Sequence, residues 1–141
     1  MLAHVSDELT KSIRDAMPLC ATLGMTVEEM TSDRVVMAID WAPQLCTSAT
    51  LMHGGVIMAL ADSSGAVCAS VNLPADATGT STIESKTNFL GGVRDGRVVA
   101  TSRPLHVGST TIVVETEVRR GADDRLVAKV TQTQVVLRAK G

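Results

Sequence analysis

The chain is almost without aromatic residues: it has one Trp, one Phe and no Tyr in 141 residues. Its core must therefore be aliphatic, and the stacking platforms that bind single-stranded nucleic acid are missing. A net charge of −2 offers no basic surface for nucleic acid or an anionic membrane. Cysteine is scarce as well. Cys20, Cys46 and Cys68 are odd in number and lack metal-ligand spacing, which fits reduced thiols in a cytoplasm and predicts no metal site. The start, Met1-Leu2-Ala3-His4-Val5-Ser6-Asp7-Glu8, has no basic stretch followed by an apolar one, so no signal peptide is expected. The longest apolar run, residues 54–71, falls near the minimum for a membrane span but carries Asp62 and three serines. A core helix is the expectation, not a membrane segment.

What is present suits a globular fold. The apolar fraction of 45% is ordinary, and the length predicts one domain over residues 1–141, with 1–22 as an N-terminal helix and lead-in. Residues 6–17 carry Leu9, Ile13 and Met17 at helical spacing, with Ser6 as cap and Pro18 as stop. Strands are expected over 23–30 and 34–41, then a loop over 43–52 and the apolar helix. Thereafter β-branched runs over 80–90, 98–107, 110–120 and 126–138 read as strands, the second bulged near Pro104. This order predicts an α+β fold in which a single antiparallel sheet wraps a central apolar helix. A helix apolar nearly all round needs a second cover, and another copy of the chain would supply it.

Three segments could carry chemistry. His53-Gly54-Gly55 opens the helix, where first-turn N–H groups lack intrahelical acceptors and the dipole is positive. Such a terminus can polarise a carbonyl, or it can simply be a glycine turn that lets helix and strand pack. Asp62 is the one charged residue between Asp40 and Asp76. A buried carboxylate costs several kcal/mol, to order of magnitude, unless it is paired. It is either a site acid or a core aspartate satisfied by Ser63, Ser64 or a backbone amide. In residues 80–90 the alternation puts Thr82, Glu84, Lys86 and Asn88 on one side and Ile83 and Phe89 on the other, which by itself describes only a strand with a polar face. Gly54 and Asp62 are eight residues apart, about 12 Å along a helix axis. If both act on one small group they come from different chains.

The ordered set Leu51-Met52-His53-Gly54-Gly55-Val56, Ala59-Leu60-Ala61-Asp62, and Thr82 through Leu90 resembles the hotdog-fold acyl-CoA thioesterases, in particular the phenylacetate-pathway (PaaI-like) branch. The segment 100–108 and Leu126-Val127-Ala128 extend the likeness over most of residues 23–137. The resemblance implies a hotdog fold, a dimer with a continuous sheet, commonly a tetramer, and hydrolysis of acyl-CoA to a free acid and CoA without cofactor or metal. It implies that the Gly54 N–H polarises the thioester carbonyl and that His53 shapes that turn or touches the thioester region. Asp62 of the partner chain would be nucleophile or general base, and Thr82 would place the water or carboxylate. Thr47 stands where an Asn or Gln is frequent. Gly55, Asn88, Phe89, Leu90, His106, Ser109 and Thr110 are the implied substrate-binding positions. Thr50 replaces a frequent Gly, and Gly91-Gly92 and Ser109 replace cations, leaving Lys86, Arg94, Arg97 and Arg103 as candidates for CoA phosphates. The alternative is an acyl-CoA or acyl-ligand binding protein without turnover. A purely structural β-rich dimer is a third reading. The small residues Ala59, Ser63, Gly65 and Ala66 suggest an aliphatic, deformable pocket for an aliphatic or aryl acyl group.

Overall fold

The computed structural model describes residues 4–141. Helix α1 (Asp7–Ala16) starts at Ser6, whose side chain accepts from the Leu9 N–H, and Pro18 opens a second short helix, α2 (Pro18–Thr22). The predicted first strand therefore loses its N-terminal residues: Leu23 caps α2, Gly24 turns the chain with φ +72°, and β1 covers only Thr26–Met30. α1 is tied to β1 by Ser6 N–H to Val27 O and by Val27 N–H to Thr10 Oγ1. Strand β2 (Val35–Asp40) follows. The long apolar helix α3 (Gly54–Ser70) comes next, then β3 (Gly79–Phe89), β4 (Arg97–Val107), β5 (Thr111–Arg120) and β6 (Leu126–Leu137).

The six strands make one antiparallel sheet in the order β1-β2-β4-β5-β6-β3. Period-2 alternation sets its inner face: Val98, Ala100 and Ser102 on β4, and Ile112, Val114, Thr116 and Val118 on β5, are buried. The register of β4 against β5 shifts between Pro104 and His106, the bulge that a strand proline without an N–H to donate predicts. α3 lies on this inner face and buries Ile57, Leu60, Ala61, Ser64, Val67 and Cys68. Burial pushes the Cys68 thiol up to about 11.

The segment 43–52, expected as a plain loop, is more built. It holds two 3₁₀ turns, Pro43–Leu45 and Ser48–Thr50, and a bridge between Cys46 and Met52. Ala49 and Thr50 are both left-handed, at φ 57° and 60°, a conformation costly for a β-branched residue. Trp41 Nε1–H and Arg94 Nη1–H hold them by donating to the carbonyls of Thr50 and Ala49. Among the described residues no helix is long and apolar enough to cross a membrane.

Candidate active site

Asp62 is exposed in the single chain, not buried as the apolar run suggested. The reason is packing. α3 is apolar on all sides, but the sheet covers one side only, leaving a stripe of Gly55, Met58, Asp62 and Ser70 in the open, with Ala59 and Ala66 half-buried beside it. Its partners are also not the neighbouring serines. Thr82 Oγ1–H donates to Asp62 Oδ1 at 2.8 Å, and Gln132 Nε2–H reaches the same oxygen at 3.2 Å. Ser64 instead bonds Ser102, which bonds Thr116, in a buried hydroxyl cluster below the helix. Among the described residues no protein donor takes Asp62 Oδ2.

The expected alternation along β3 is broken, because its register with β6 shifts between Thr82 and Glu84, making Ile83 an extra residue. Thr82 pairs with Gln134 before the bulge, and Ser85 pairs with Gln132 after it. Thr82 therefore shares the inward side with Ser85, Thr87 and Phe89 instead of with Glu84, Lys86 and Asn88. Lys86 Nζ donates to Asn88 Oδ1 at 3.0 Å on the outer side. Two buried glutamines stand under the acid. Gln134 Nε2–H donates to Thr82 Oγ1 at 2.5 Å, and Gln134 Oε1 lies 3.1 Å from Thr80 Oγ1. The sequence reading missed both glutamines. The available signal was two amides at inward positions of a β-branched strand.

At the start of α3, His53 is the N-cap. Its Nδ1 accepts from the Gly55 N–H at 2.7 Å, so a neutral ring carries its proton on Nε2. A Cβ at Gly55 would sit 2.9 Å from that Nδ1, so the glycine makes room for the cap. The Gly54 N–H has no protein acceptor among the described residues. The Phe89 ring lies over Gly54, with Cζ 3.1 Å from where a Cβ would be, and Leu90 N–H bonds Val127 O. Gly54 and Asp62 are on one helix, about 12 Å apart along its axis.

The implied site residues thus fall into separate places on one chain. His53, Gly54, Gly55, Phe89 and Leu90 gather at the helix start, and Asp62 and Thr82 meet two turns on. Thr47 is exposed in the built loop and starts its second 3₁₀ turn without a side-chain cap bond. Asn88 is exposed. His106, Ser109 and Thr110 lie at the β4–β5 hairpin. Thr110 O accepts from Val136 N–H, and Val136 pairs with Thr80. That places the hairpin nine residues from Phe89 along β3, about 30 Å. Arg97 is committed elsewhere, to Glu28, Asp40 and Thr26. Arg94 is committed to Ala49 O. Of the small residues expected to line a pocket, Ser63 is buried beside Cys20 of α2 and Gly65 is buried against Gln132 of the sheet. Ala66 does line a groove of about 240 Å³, together with Ile13, Ala16, Met17, Val67, Ser70 and Thr80. Among the described residues no three His, Cys, Asp or Glu side chains come close enough to hold a metal ion.

Comparison with known proteins places these features in a family. Residues 50–127 match the family model described as the thioesterase superfamily, a span that contains α3, β3, β4 and β5. A protein of Saccharolobus solfataricus named "Putative esterase" is 34% identical over 119 residues, covering 84% of this chain and 82% of that protein. Among solved structures, a mutant thioesterase from Pseudomonas aeruginosa superposes with a TM-score of 0.84 over 92% of this chain and 94% of that one, at 22% identity. A thioesterase from Haemophilus influenzae does so with a TM-score of 0.80 over 89% and 90%, also at 22% identity. These two structures speak for the fold, which is the hotdog arrangement of one antiparallel sheet around a helix. By the family model and the Saccharolobus relative together, the chain belongs to the thioesterase superfamily.

Proposed function

We propose that the chain hydrolyses acyl-CoA thioesters, in the manner of the phenylacetate-pathway branch, as a two-fold dimer. In this reading the Gly54 N–H of one chain and Asp62 of the other act on one thioester. The observation that carries the reading is the state of Asp62. Its Oδ1 is held by Thr82 and Gln132, while Oδ2 is unclaimed on the open side of α3. Two donors from the sheet side fix one oxygen of an otherwise open carboxylate, an orientation that packing alone does not require. The free Gly54 N–H supplies the complementary half, a donor at a positive helix end aimed where carbonyl oxygen charge develops.

The chemistry follows from these two groups. The Gly54 N–H polarises the thioester C=O. Asp62 Oδ2 either attacks the acyl carbon or removes a proton from the water that attacks it. In the first case the C–S bond breaks as an acyl–Asp62 anhydride forms. Water then cleaves the anhydride to free acid and carboxylate, the released proton going to the CoA thiolate. In the second case the water's oxygen bonds the acyl carbon as the C–S bond breaks, and the proton held by Asp62 passes to the departing sulfur. Because 12 Å separates the two groups on one helix, antiparallel α3 helices from two copies are what would bring them together. The same two-fold would bring the far hairpin, with His106, Ser109 and Thr110, toward the other chain's helix start. The acyl tail would lie in the apolar groove that begins at Ala66, one helical turn beyond Asp62.

Release of thiol from a panel of acyl-CoA esters of graded length tests the proposal. Wild type turns over, and Asp62→Asn lowers kcat by roughly 10²- to 10⁴-fold, the range for loss of a general base, while keeping the fold. Saturable binding without turnover would favour the acyl-ligand binding protein. An Asp62→Asn variant as fast as wild type would remove Asp62 from the chemistry.

A further inference from the structure

The floor beneath Asp62 contains an arrangement that stability does not explain. Gln132 sits in the middle of β6, 1% exposed, with Val114 and Ser85 as its cross-strand neighbours. Only one end of its amide is satisfied. Nε2–H donates to Asp62 Oδ1, while Oε1 is a buried acceptor without a hydrogen-bond partner. Turning the amide over would aim Oε1 at the carboxylate, so the bond to Asp62 fixes its orientation.

The orphaned Oε1 rests against Gly65. A Cβ at that position would lie 2.2 Å from Oε1, 2.4 Å from Cδ and 2.8 Å from Nε2. Glycine is therefore what allows the amide to pass under α3. Two local penalties meet here: a glycine inside a helix and a buried unpaired acceptor. A core selected only for stability would place Ala at 65 and Leu or Met at 132. Among the described residues, the one polar side chain that the amide reaches is that of Asp62.

The second donor is organised in the same way. Gln134 Nε2–H donates into Thr82 Oγ1, which leaves the single Thr82 hydroxyl proton to point at Asp62 Oδ1. Both donors thus grip one carboxylate oxygen from below, and the other faces outward.

We propose that Gln132, admitted by Gly65, is a positioning residue that clamps Asp62 Oδ1 and so presents Oδ2 to the reacting acyl group or water. The proposal rests on the reading that Asp62 performs thioester hydrolysis, and it adds a residue remote from substrate to that site. Gln134 assists through Thr82.

The test is steady-state kinetics of Q132M, with Q132L as the substitute should Q132M not accumulate as soluble protein. Both remove the donor and the orphaned acceptor at similar volume. Loss of positioning lowers kcat about 10- to 100-fold with KM within about twofold, and the urea midpoint stays level or rises. Q132N keeps an amide but is one methylene short of Asp62, and it falls to the level of Q132M. In the D62N background, Q132M has no further effect, because it acts through the carboxylate. Kinetics of Q132M within twofold of wild type would overturn the inference, as would losses that multiply in D62N/Q132M. Activity lost only in step with the folded fraction overturns it too. Each of these outcomes leaves the thioesterase reading standing. A wild type that releases no thiol from any acyl-CoA overturns both.

Discussion

Gly65→Ala is the substitution whose consequence can be worked most directly from the geometry. In an exposed helix it would stabilise by about 1 kcal/mol, because glycine is the poorer helix former. Here the new Cβ would lie 2.2 Å from Gln132 Oε1 and 2.4 Å from Cδ, where ordinary contact begins at 3.4 Å. The overlap therefore exceeds about 1 Å. Gln132 is buried between neighbouring strands, so it cannot swing out to solvent without disturbing them. Either α3 lifts from the sheet, loosening Leu60, Ala61, Ser64 and Cys68, all fully buried, or the amide leaves its rotamer and abandons Asp62. Overpacking of this kind costs about 1–3 kcal/mol. Net of the helix gain, G65A should lose up to about 2 kcal/mol, or up to roughly 6 °C in Tm for a chain of this length.

Urea unfolding at one fixed protein concentration measures this, the concentration being held because association would shift the midpoint. The decisive comparison is a double-mutant cycle. Q132A removes the obstructing amide, so Gly65→Ala on that background should be neutral or stabilising, with a coupling energy of at least about 1 kcal/mol. If G65A alone is more stable than wild type, or the coupling with Q132A is absent, the amide does not occupy the place described, and the account of the floor under Asp62 is refuted.

Thr50 is a β-branched residue at φ 60°, so Thr50→Gly should stabilise by about 0.5–1 kcal/mol after glycine's own entropy cost, and a lowered urea midpoint would contradict that. Arg97 makes hydrogen bonds to Glu28, whose side chain is 5% exposed, so Arg97→Ala strands a buried carboxylate and should cost about 2–3 kcal/mol by the same measurement. The Cys68 thiol, raised by burial from 9.0 to about 11, favours the folded state fully below pH 9, and its contribution is lost as the pH climbs from about 9 to 11. Cys68→Ala should flatten the stability profile over that interval. Ala66→Phe should fill the groove next to Ile13 and Met17, raising KM for long acyl chains in the thiol-release assay while sparing short ones.

The strands and the central helix were legible because their signals are local. Ser6 and Pro18 punctuate α1, Pro104 marks its bulge, and the β-branched runs recur with period 2. Three features were not legible, each because it depends on a partner far along the chain. The bulge at Ile83 has no glycine or proline to announce it, so simple alternation put Thr82 on the side of Glu84. The tie from Asp62 to Gln132 spans 70 residues, and although the alternation of β6 puts Gln132 on the inward side, it does not say which residue the amide meets there. Gly65 reads as a small residue for a pocket wall, yet it is explained only by what passes beneath it. The burial of Asp62 was inferred from the apolar character of its helix, and the single sheet covers just one side of that helix. Hydropathy reports how much cover a helix requires, not how much its own chain provides.

That shortfall of cover has a specific shape. β3 is an edge strand, paired on one side with β6 and on the other, among the described residues, with nothing. Its exposed Ile83 and Phe89, with the following Leu90, are 60%, 51% and 58% open, and the uncovered stripe of α3 lies beside it with Met58 at 42%. An edge strand with large apolar side chains invites pairing and is normally blunted by charge, proline or a bulge. β3 has its bulge at one point and otherwise stays open. A second β3 alongside, running antiparallel, would complete the ladder and lay the two α3 stripes against each other in opposite directions. Gly54 of one chain would then approach Asp62 of the other, and the hairpin holding His106 would approach the opposite Phe89. The separate places occupied by the implied site residues on one chain are thus what a site divided between two chains requires. Oligomer formation and catalysis would rest on the same open edge, and a change that separates the copies should abolish turnover without touching any reacting group.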